Sequence, residues 1–463
     1  MTFNSIDYIV FLLIAIFFIR VIPGDQWKHR FILVMSFVFY AWWDYRFLSL
    51  IIAVASIAYM GGLFVSDKNK YNRKLILLLS ISMLLGILFV FKYFNFFIDS
   101  IKTMGVDAGW SSLNIILPVG ISFFIFHAIS YVADVHRGKQ APEQSFVALA
   151  LYICFFPHMV AGPIVRATDF LPQLHARWHP PGRQETAELL LRFCWGMAKK
   201  VFIADRLAGS LVDPVFSNPG SVSPELVVLA VLAFGIQIYA DFSGYSDMAI
   251  ASAGLLGIKF RENFLAPYSA TSLREFWQRW HVSLSSWIRD YLYIPLGGGR
   301  RSEPRVALNV FSSMALSGLW HGAAWNYMLW GAFHGLALVV EQLFRKHVPW
   351  TAPGVLRGGV TLLFVFLAWW VFRVADISAL QAMAAGFIEP RPFTYVPLSL
   401  LAFLIICTIV IGAEHWGLRV LEKRGPVVVP WWLSVTASAV ISTFLLMTAV
   451  PSLGIRNFVY FQF

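Results

Sequence analysis

The sequence predicts an all-α polytopic membrane protein with about 11–12 transmembrane helices, forming a single integral membrane domain over residues 1–463. Its 463 residues are 58% hydrophobic and only 13% charged, whereas soluble domains carry about 25% charged residues. The deficit extends over the whole length, and long apolar runs recur along it. These observations exclude a globular domain with one membrane anchor.

The apolar runs are the candidates for spanning helices. The first run lacks a preceding basic region and a following small-residue cleavage site, so we expect a retained helix and not a signal peptide. One run in the second half is too long for one crossing, and we expect a span with a buried extension there. The runs are Ile6–Ile22, Phe31–Trp43, Phe47–Val65, Leu75–Ile98, Ile115–Ala133, Phe146–Gly162, Leu189–Ala208, Leu226–Ile258, Val306–Gln342, Val360–Val371, Leu398–Leu421 and Trp431–Val450.

Basic residues concentrate in short loops between these runs. Asp67–Lys74 and Gly24–Arg30 carry such an excess and should be cytoplasmic, which places the N-terminus outside. We interpret the net charge of +11 as an orientation signal and not as a nucleic-acid surface. The polar stretch Gly162–Leu189 contains prolines that forbid a continuous helix. It is either a loop between spans or a re-entrant or interfacial segment facing a cavity.

The stretch Ser317–Gly335 places a histidine, His321, inside a long apolar run. An ionisable side chain at membrane depth indicates a functional site, because its burial is costly. The glycines around it follow the small-xxx-small pattern, which lets helices approach closely. On a regular helix His334 would lie about 140° around from His321, so the two should not act as a pair.

A second histidine, His281, lies in the amphipathic segment Thr271–Tyr293. Thr271 or Ser272 is expected to cap this helix. Trp277, Trp280 and His281 fall on its aromatic face, and Arg289 falls on the opposite, basic face. Two readings remain open: His281 is a buried packing residue, or the basic flank of its helix meets an anionic ligand such as phosphate.

Two aspartates, Asp241 and Asp247, lie in another apolar run with Ser243 and Gly244 between them. Carboxylates at this depth must be paired or must face an aqueous cavity. Their helical positions point in different directions, which argues against a shared-proton pair. Nearby arginines are the expected structural partners, and Gly244 is expected to break or kink the helix.

Common cofactor and metal motifs are absent from the sequence, including the P-loop, the dinucleotide glycine fingerprint, HExxH and GxSxG. The cysteines Cys154, Cys194 and Cys407 form no metal spacing and no disulfide framework. We therefore expect no metal and no bound cofactor. A buried histidine with no nucleophile beside it suggests general-base chemistry, in which it takes a proton from an attacking hydroxyl or thiol.

Four motifs together resemble the membrane-bound O-acyltransferase (MBOAT) family: DFSGYSDMAI, EFWQRWHVSLSSWIRDYLYIPLGG, SGLWHGAAWNYMLWGAFHG and FVYFQF. The similarity is greatest to the bacterial branch that acetylates exported polysaccharides, as in alginate O-acetylation. By this resemblance His321 matches the near-invariant histidine of the family and His281 matches its second polar position. The resemblance also implies acetyl-CoA as the donor and a central tunnel flanked by re-entrant or interfacial helices.

The resemblance further implies residues for that tunnel and partners for the reaction. The partners are a polysaccharide acceptor, the lipid bilayer and a separate extracytoplasmic acyltransferase of the SGNH, serine-hydrolase-like type, at the bacterial inner membrane. Nucleic acid is not among them. The expected tunnel or substrate-contacting residues are Asp241, Ser243, Asp247, Trp277, Trp280, Arg289, Trp320, Trp325 and Asn326.

The C-terminal tail, residues 454–463, is aromatic and contains one phenol, Tyr460. A related teichoic acid D-alanylation system has a partner peptide with a similar terminus. By that resemblance Tyr460 accepts the acyl group, with His321 as the base that a phenol of pKa about 10 requires. The alternative is a tail that only docks through its aromatic rings.

Two other classes of function compete with an acyltransferase. A transporter or channel would use the buried His and Asp residues as a proton relay, although no inverted repeat is visible. A scaffold would only recruit the external acyltransferase. Within the enzyme interpretation, alginate, cellulose, peptidoglycan and teichoic acid remain open as acceptors.

Overall fold

The computed structural model describes residues 1–67, 69–106, 109, 111–160, 162–347, 352–389, 391–392, 395–425, 427 and 429–449. The structure is 76% helical, and its described residues form no strand, which confirms the all-α prediction. The first helices are α1 Ile6–Val21, α2 Asp25–Asp44, α3 Leu48–Ser66, α4 Arg73–Leu88, α5 Phe94–Thr103, α6 Ile121–His136, α7 Phe146–Cys154, α8 Phe156–Met159, α9 Ala167–His175 and α10 Arg183–Ala198. They are followed by α11 Asp205–Leu207, α12 Asp213–Phe216, α13 Pro224–Leu255, α14 Leu273–Arg279, α15 Val282–Ile288, α16 Glu303–His321, α17 Trp325–His347, α18 Gly354–Arg373, α19 Ile377–Ala385, α20 Leu398–Arg424 and α21 Trp431–Ala449.

Within the described residues, five helical stretches are long and apolar enough to cross a membrane. The protein is therefore a multi-pass membrane protein, as predicted. The count of 11–12 crossings stays a prediction, because several predicted spans form shorter or interrupted helices. The five stretches are Asp25–Ser66, Arg73–Thr103, Pro224–Leu255, Gly354–Arg373 and Leu398–Arg424.

Residues Met1–Phe193 and Met248–Arg261 form one compact unit. Its centre is α6, in which every residue from Ile121 to Val135 is buried. The Tyr8 hydroxyl donates a 2.9 Å hydrogen bond to Ser252 Oγ within this unit. The proline-rich stretch contributes α9, which contains Pro172 and ends at His175. Proline removes a helical hydrogen-bond donor, which is consistent with the predicted interruption.

The described residues of Cys194–Asp247 and of the chain from Glu262 onward form the second unit, and the hairpin of α16 and α17 lies in it. A Cβ at Gly318 would lie 3.0 Å from the Gly331 nitrogen, and a Cβ at Gly335 would lie 2.9 Å from Phe311 Cα. Later residues of α17 thus pack against earlier residues of α16, so the two helices are antiparallel. The glycines allow the close approach that their spacing predicted.

Candidate active site

The helix α16 ends at His321, and α17 begins only at Trp325. A regular helix running from His321 to His334, on which the predicted angle between them depended, is therefore wrong. The span with a buried extension that was expected over Val306–Gln342 stays a prediction. Gly322 has an extended backbone, and the ring of Tyr327 fills the space that a Cβ at residue 322 would need. A larger residue at 322 would displace that ring, so glycine is what permits the turn here.

The His321 side chain is 3% exposed and lies in an aromatic cage. Its ring centroid is 5.0 Å from that of Trp320, 5.2 Å from that of Trp330 and 5.5 Å from that of Phe372. Trp330 and Phe372 come from α17 and α18, so three helices build the cage. Rings of this kind exclude water from the imidazole and restrict its orientation.

His281 occupies a break between α14 and α15, with φ +44° and ψ +54°. The prediction of one continuous amphipathic helix through this residue was therefore wrong. The left-handed region is uncommon for a residue with a Cβ, and it turns the chain so that the His281 side chain is fully buried. Ser272 caps α14 by accepting a 3.1 Å hydrogen bond from the Glu275 N–H, one of the two predicted caps.

The structure brings His281 and His321 to the same tryptophan. The Trp320 centroid lies 6.1 Å from the His281 ring and 5.0 Å from the His321 ring. The Phe242 ring lies nearly perpendicular to that of His281, at 4.6 Å between centroids. The Trp320 ring thus lies beside both histidines, which come from different segments of the chain, and their chemical roles stay predictions.

A polar cluster that sequence reasoning missed surrounds His281. His281 Nδ1 lies 3.2 Å from Asn263 Oδ1, and the Ser283 hydroxyl donates to the same oxygen at 2.8 Å. Asn263 Nδ2 donates to Ser246 Oγ at 3.1 Å. Asn263 lies in irregular chain between α13 and α14, where no periodicity or motif marks it.

His334 also contacts the Trp330 ring. Its centroid is 5.0 Å from that of Trp330, and its Nδ1 accepts a 3.3 Å hydrogen bond from Trp277 Nε1. Trp280, which is also fully buried, packs against Trp369 at 4.9 Å. Both predicted tryptophans therefore belong to the buried aromatic core of this unit.

The buried Asp241 and the partly buried Asp247 lie in an ion network that the sequence did not identify. Lys199 Nζ is 2.6 Å from Asp247 Oδ2 and 2.8 Å from Glu414 Oε1. Lys200 Nζ is 2.9 Å from Asp241 Oδ1. The expected arginine partners are thus lysines, two consecutive residues on a π-helical turn that direct their ammonium groups to different carboxylates.

The helix α13 continues through Gly244 without interruption, so the expected break there was wrong. A Cβ at residue 244 would lie 2.6 Å from the Gly196 carbonyl oxygen and 3.3 Å from Lys199 Cβ. The glycine therefore serves close approach of the lysine-bearing segment to α13. Ser243 is buried on the same helix.

The last two predicted residues begin α17. Asn326 is buried and its Nδ2 donates a 2.9 Å hydrogen bond to the Val374 carbonyl. Trp325 is 46% exposed. Asn326 thus attaches the start of α17 to the end of α18, which fixes the helix that supplies Trp330 to the cage around His321.

A cavity of about 940 Å³ lies beside α16, and two of the predicted residues, Trp277 and Arg289, line it. Five basic and two acidic side chains line it, together with serines and apolar residues. Arg289 is mostly exposed and pairs with Asp290 at 2.8 Å. The charged lining residues are Arg274, Arg289, Arg301, Arg345, Lys346, Glu303 and Glu341.

A second charged cluster, close to this cavity, links α14 to α20. Glu275 Oε1 lies 2.9 Å from Arg279 Nε and 2.6 Å from Arg419 Nη2. Burial acts to raise the pKa of the Glu275 carboxyl, but hydrogen bonds from Thr271, Arg419 and Arg279 hold that pKa at about 2. The carboxylate is therefore ionised at neutral pH and keeps its two arginine partners.

The described residues contain no group of three or more His, Cys, Asp or Glu side chains that could hold a metal ion. Tyr460 and the tail 454–463 lie outside the described residues. The acyl-acceptor prediction for Tyr460 therefore stays a prediction.

Apolar spanning helices and a buried histidine centre beside a basic cavity define a polytopic membrane protein with a site for polar chemistry. The chain belongs to the membrane-bound O-acyltransferase family, whose sequence model matches residues 25–380. It is therefore an O-acyltransferase, as the motifs predicted.

Named relatives agree with this family. The chain is 38% identical over 389 residues to a probable alginate O-acetylase, AlgI, of Pseudomonas aeruginosa, covering 83% of this chain and 74% of the relative. It is 33% identical to a peptidoglycan O-acetyltransferase of Helicobacter pylori, covering 77% and 73%. A teichoic acid D-alanyltransferase of Bacillus subtilis is 26% identical, covering 50% and 61%.

Proposed function

We propose that the protein transfers an acetyl group from cytoplasmic acetyl-CoA across the bacterial inner membrane for O-acetylation of an exported polysaccharide. Two relatives with O-acetylation in their names support an acetyl donor. Alginate and peptidoglycan, the acceptors in those names, both contain sugar hydroxyl groups. The observation that carries the proposal is the basic cavity beside the helix that ends at His321.

The cavity fits a ligand with a charged end and an uncharged arm. Its volume of about 940 Å³ lies within the range of small-molecule sites. Coenzyme A has phosphates at one end, which guanidinium groups bind through paired N–H donors. The basic lining residues include Arg301 and Arg345, and the lining also contains serine and apolar side chains for the arm.

The α16 wall of the cavity leads towards His321. Val310, Met314 and Ser317 line the cavity at spacings of four and three residues, and His321 follows four residues later. Residues at this spacing share one helix face. Four residues correspond to about 6 Å along a helix axis, so a thioester at the inner end would approach the imidazole.

His321 acts as the general base in the proposed reaction. It takes the proton of an attacking hydroxyl while that oxygen bonds to the thioester carbonyl carbon. The carbon–sulfur bond then breaks, and the departing sulfur receives the proton from His321 to give the coenzyme A thiol. The Trp320, Trp330 and Phe372 rings exclude water and so limit hydrolysis of the thioester.

Replacing Arg301 and Arg345 together with glutamine should raise KM for acetyl-CoA by about tenfold or more, because charged hydrogen bonds to phosphate are lost. The rate at saturating donor should change little, since the change removes binding shared by ground and transition states. Initial rates with radiolabelled acetyl-CoA in proteoliposomes measure both quantities. Lys102→Gln, at an exposed position on α5, is the matched control, and an unchanged KM in the double variant would refute the cavity as the donor site.

Tyr460 is the proposed first acceptor, and an SGNH-type partner outside the membrane then transfers the acetyl group to the polymer. Intact-mass analysis of the protein after incubation with acetyl-CoA should detect one acetyl ester, mapped to Tyr460 by proteolysis. The ester should be absent in Tyr460→Phe. Full polymer acetylation by Tyr460→Phe would instead indicate direct transfer to another hydroxyl.

A further inference from the structure

The side chain of Asn263 is held from several directions beside His281. Its Nδ2 donates to Ser246 Oγ at 3.1 Å, and its Oδ1 lies 3.2 Å from His281 Nδ1. The Ser283 backbone N–H donates to Oδ1 at 3.3 Å. The Asn263 main-chain carbonyl accepts a 2.9 Å bond from the Val282 N–H, so backbone and side chain both bind the turn around His281.

These contacts determine which atom of the amide faces the imidazole. A backbone N–H can only donate, so the Asn263 atom that meets the Ser283 N–H must be the oxygen. The alternative amide orientation would direct an NH₂ group at that N–H and leave both donors unsatisfied. The oxygen therefore also faces His281 Nδ1.

The position of that oxygen selects the tautomer of His281. An amide oxygen accepts hydrogen bonds but cannot donate them. The Ser283 hydroxyl also lies 3.4 Å from Nδ1, but its single proton is donated to the same Asn263 oxygen at 2.8 Å, so it faces Nδ1 as an acceptor. Nδ1 therefore carries the proton. A neutral imidazole has one N–H, and Nε2 therefore carries a lone pair. Nε2 is buried and accepts no hydrogen bond from the residues that the structure describes.

The backbone conformation of His281 is further evidence that its surroundings fix the orientation of the side chain. A φ of +44° in a non-glycine residue costs free energy, and such conformations persist where the surroundings enforce them. Phe242 meets one side of the ring, at 4.6 Å between centroids, and Trp320 lies 6.1 Å away. The lone pair of Nε2 is thus held in the same aromatic surroundings that contain His321.

We propose that Asn263 is a positioning residue that holds His281 with Nδ1 protonated, so that Nε2 accepts a hydrogen bond from a substrate N–H or O–H. This inference rests on the proposed acetyl transfer. The donor group is either a pantetheine amide N–H of acetyl-CoA or an acceptor hydroxyl other than the one that His321 deprotonates. In either case His281 orients the substrate as a neutral acceptor and does not stabilise the oxyanion through Nε2.

Nitrogen-15 NMR of histidine-labelled protein in nanodiscs tests the tautomer without any turnover. The resonances that disappear in His281→Gln identify His281. In the wild-type protein we expect a protonated Nδ1 and an unprotonated Nε2, and a protonated Nε2 would overturn the inference even if acetyl transfer were normal. If acetyl transfer did not depend on His321, the proposed function would be contradicted, but the tautomer result for His281 would still stand.

Two variants of Asn263 test the substrate contact. Asn263→Leu removes the acceptor opposite Nδ1 and should lose the fixed tautomer, with a KM increase of about three- to tenfold for the substrate that donates to Nε2. An increase for acetyl-CoA identifies the pantetheine amide, and an increase for the acceptor identifies a hydroxyl. Asn263→Asp keeps an acceptor oxygen and should retain the tautomer. A lost tautomer with both KM values unchanged would refute the substrate contact.

Discussion

Replacing His321 with alanine should reduce acetyl transfer by about 10²- to 10⁴-fold, the usual contribution of a general base. The side chain is buried in a cage of three aromatic rings, and a hydroxyl nucleophile is weak at neutral pH without a base. The measurement is the initial rate of radiolabelled acetyl transfer from acetyl-CoA by protein reconstituted with its partner and polymer. Size-exclusion profiles in detergent establish that the variant remains folded.

His334→Gln is the matched control, because His334 contacts the same Trp330 ring but bonds to Trp277. This variant should keep transfer within a few-fold of the wild-type rate. Normal transfer by His321→Ala would reject the general base and favour a protein that recruits the external acyltransferase. Proton flux without any acetyl transfer would favour the transporter interpretation.

The importance of His321 could be predicted from sequence, but its position at a helix end could not. An ionisable residue in an apolar run stands out because water and lipid treat it so differently. The helix end depends on Gly322 and on the ring of Tyr327 that packs over it. A hydropathy pattern does not detect such a contact, since neither residue interrupts the apolar run.

His281 gives the converse lesson. Its aromatic neighbours along the segment have helical periodicity, and periodicity alone predicts an unbroken helix. The left-handed backbone arises from tertiary bonds to Asn263, which lies 18 residues earlier in irregular chain. An isolated asparagine outside any periodic element carries no signal by which to recognise it.

Asp241 and Asp247 show how much of a site chemical reasoning predicts without coordinates. Burial requires that a carboxylate be paired, and this requirement was met. The identity of the partners follows from packing, because Gly244 brings α13 against the segment that carries Lys199 and Lys200. Glu414 lies 215 residues from Lys199 in sequence, a separation that no local pattern links.

Lys199→Met should destabilise the folded protein by about 3 kcal/mol, the lower end of the cost of breaking a buried ion pair, because the carboxylates that lose their cation are largely but not fully buried. Lys199 is 1% exposed and pairs with both Asp247 and Glu414. Methionine preserves much of the side-chain volume, so the loss reports charge and not a cavity. Unfolding in detergent, followed by intrinsic tryptophan fluorescence against denaturant, measures the difference in free energy.

Lys259→Met provides the surface comparison, because its pair with Glu185 at 2.8 Å has a lysine side chain that is 75% exposed. Its effect should stay below about 1 kcal/mol. The triple variant Lys199→Met, Asp247→Leu, Glu414→Gln should recover much of the lost stability, because no unpaired charge is then buried around residue 199.

If Lys199→Met cost no more than Lys259→Met, water would have to reach these carboxylates. Asp247 would then line an aqueous path and would not form a structural ion pair. A carboxylate at membrane depth has only these two options, pairing or contact with water.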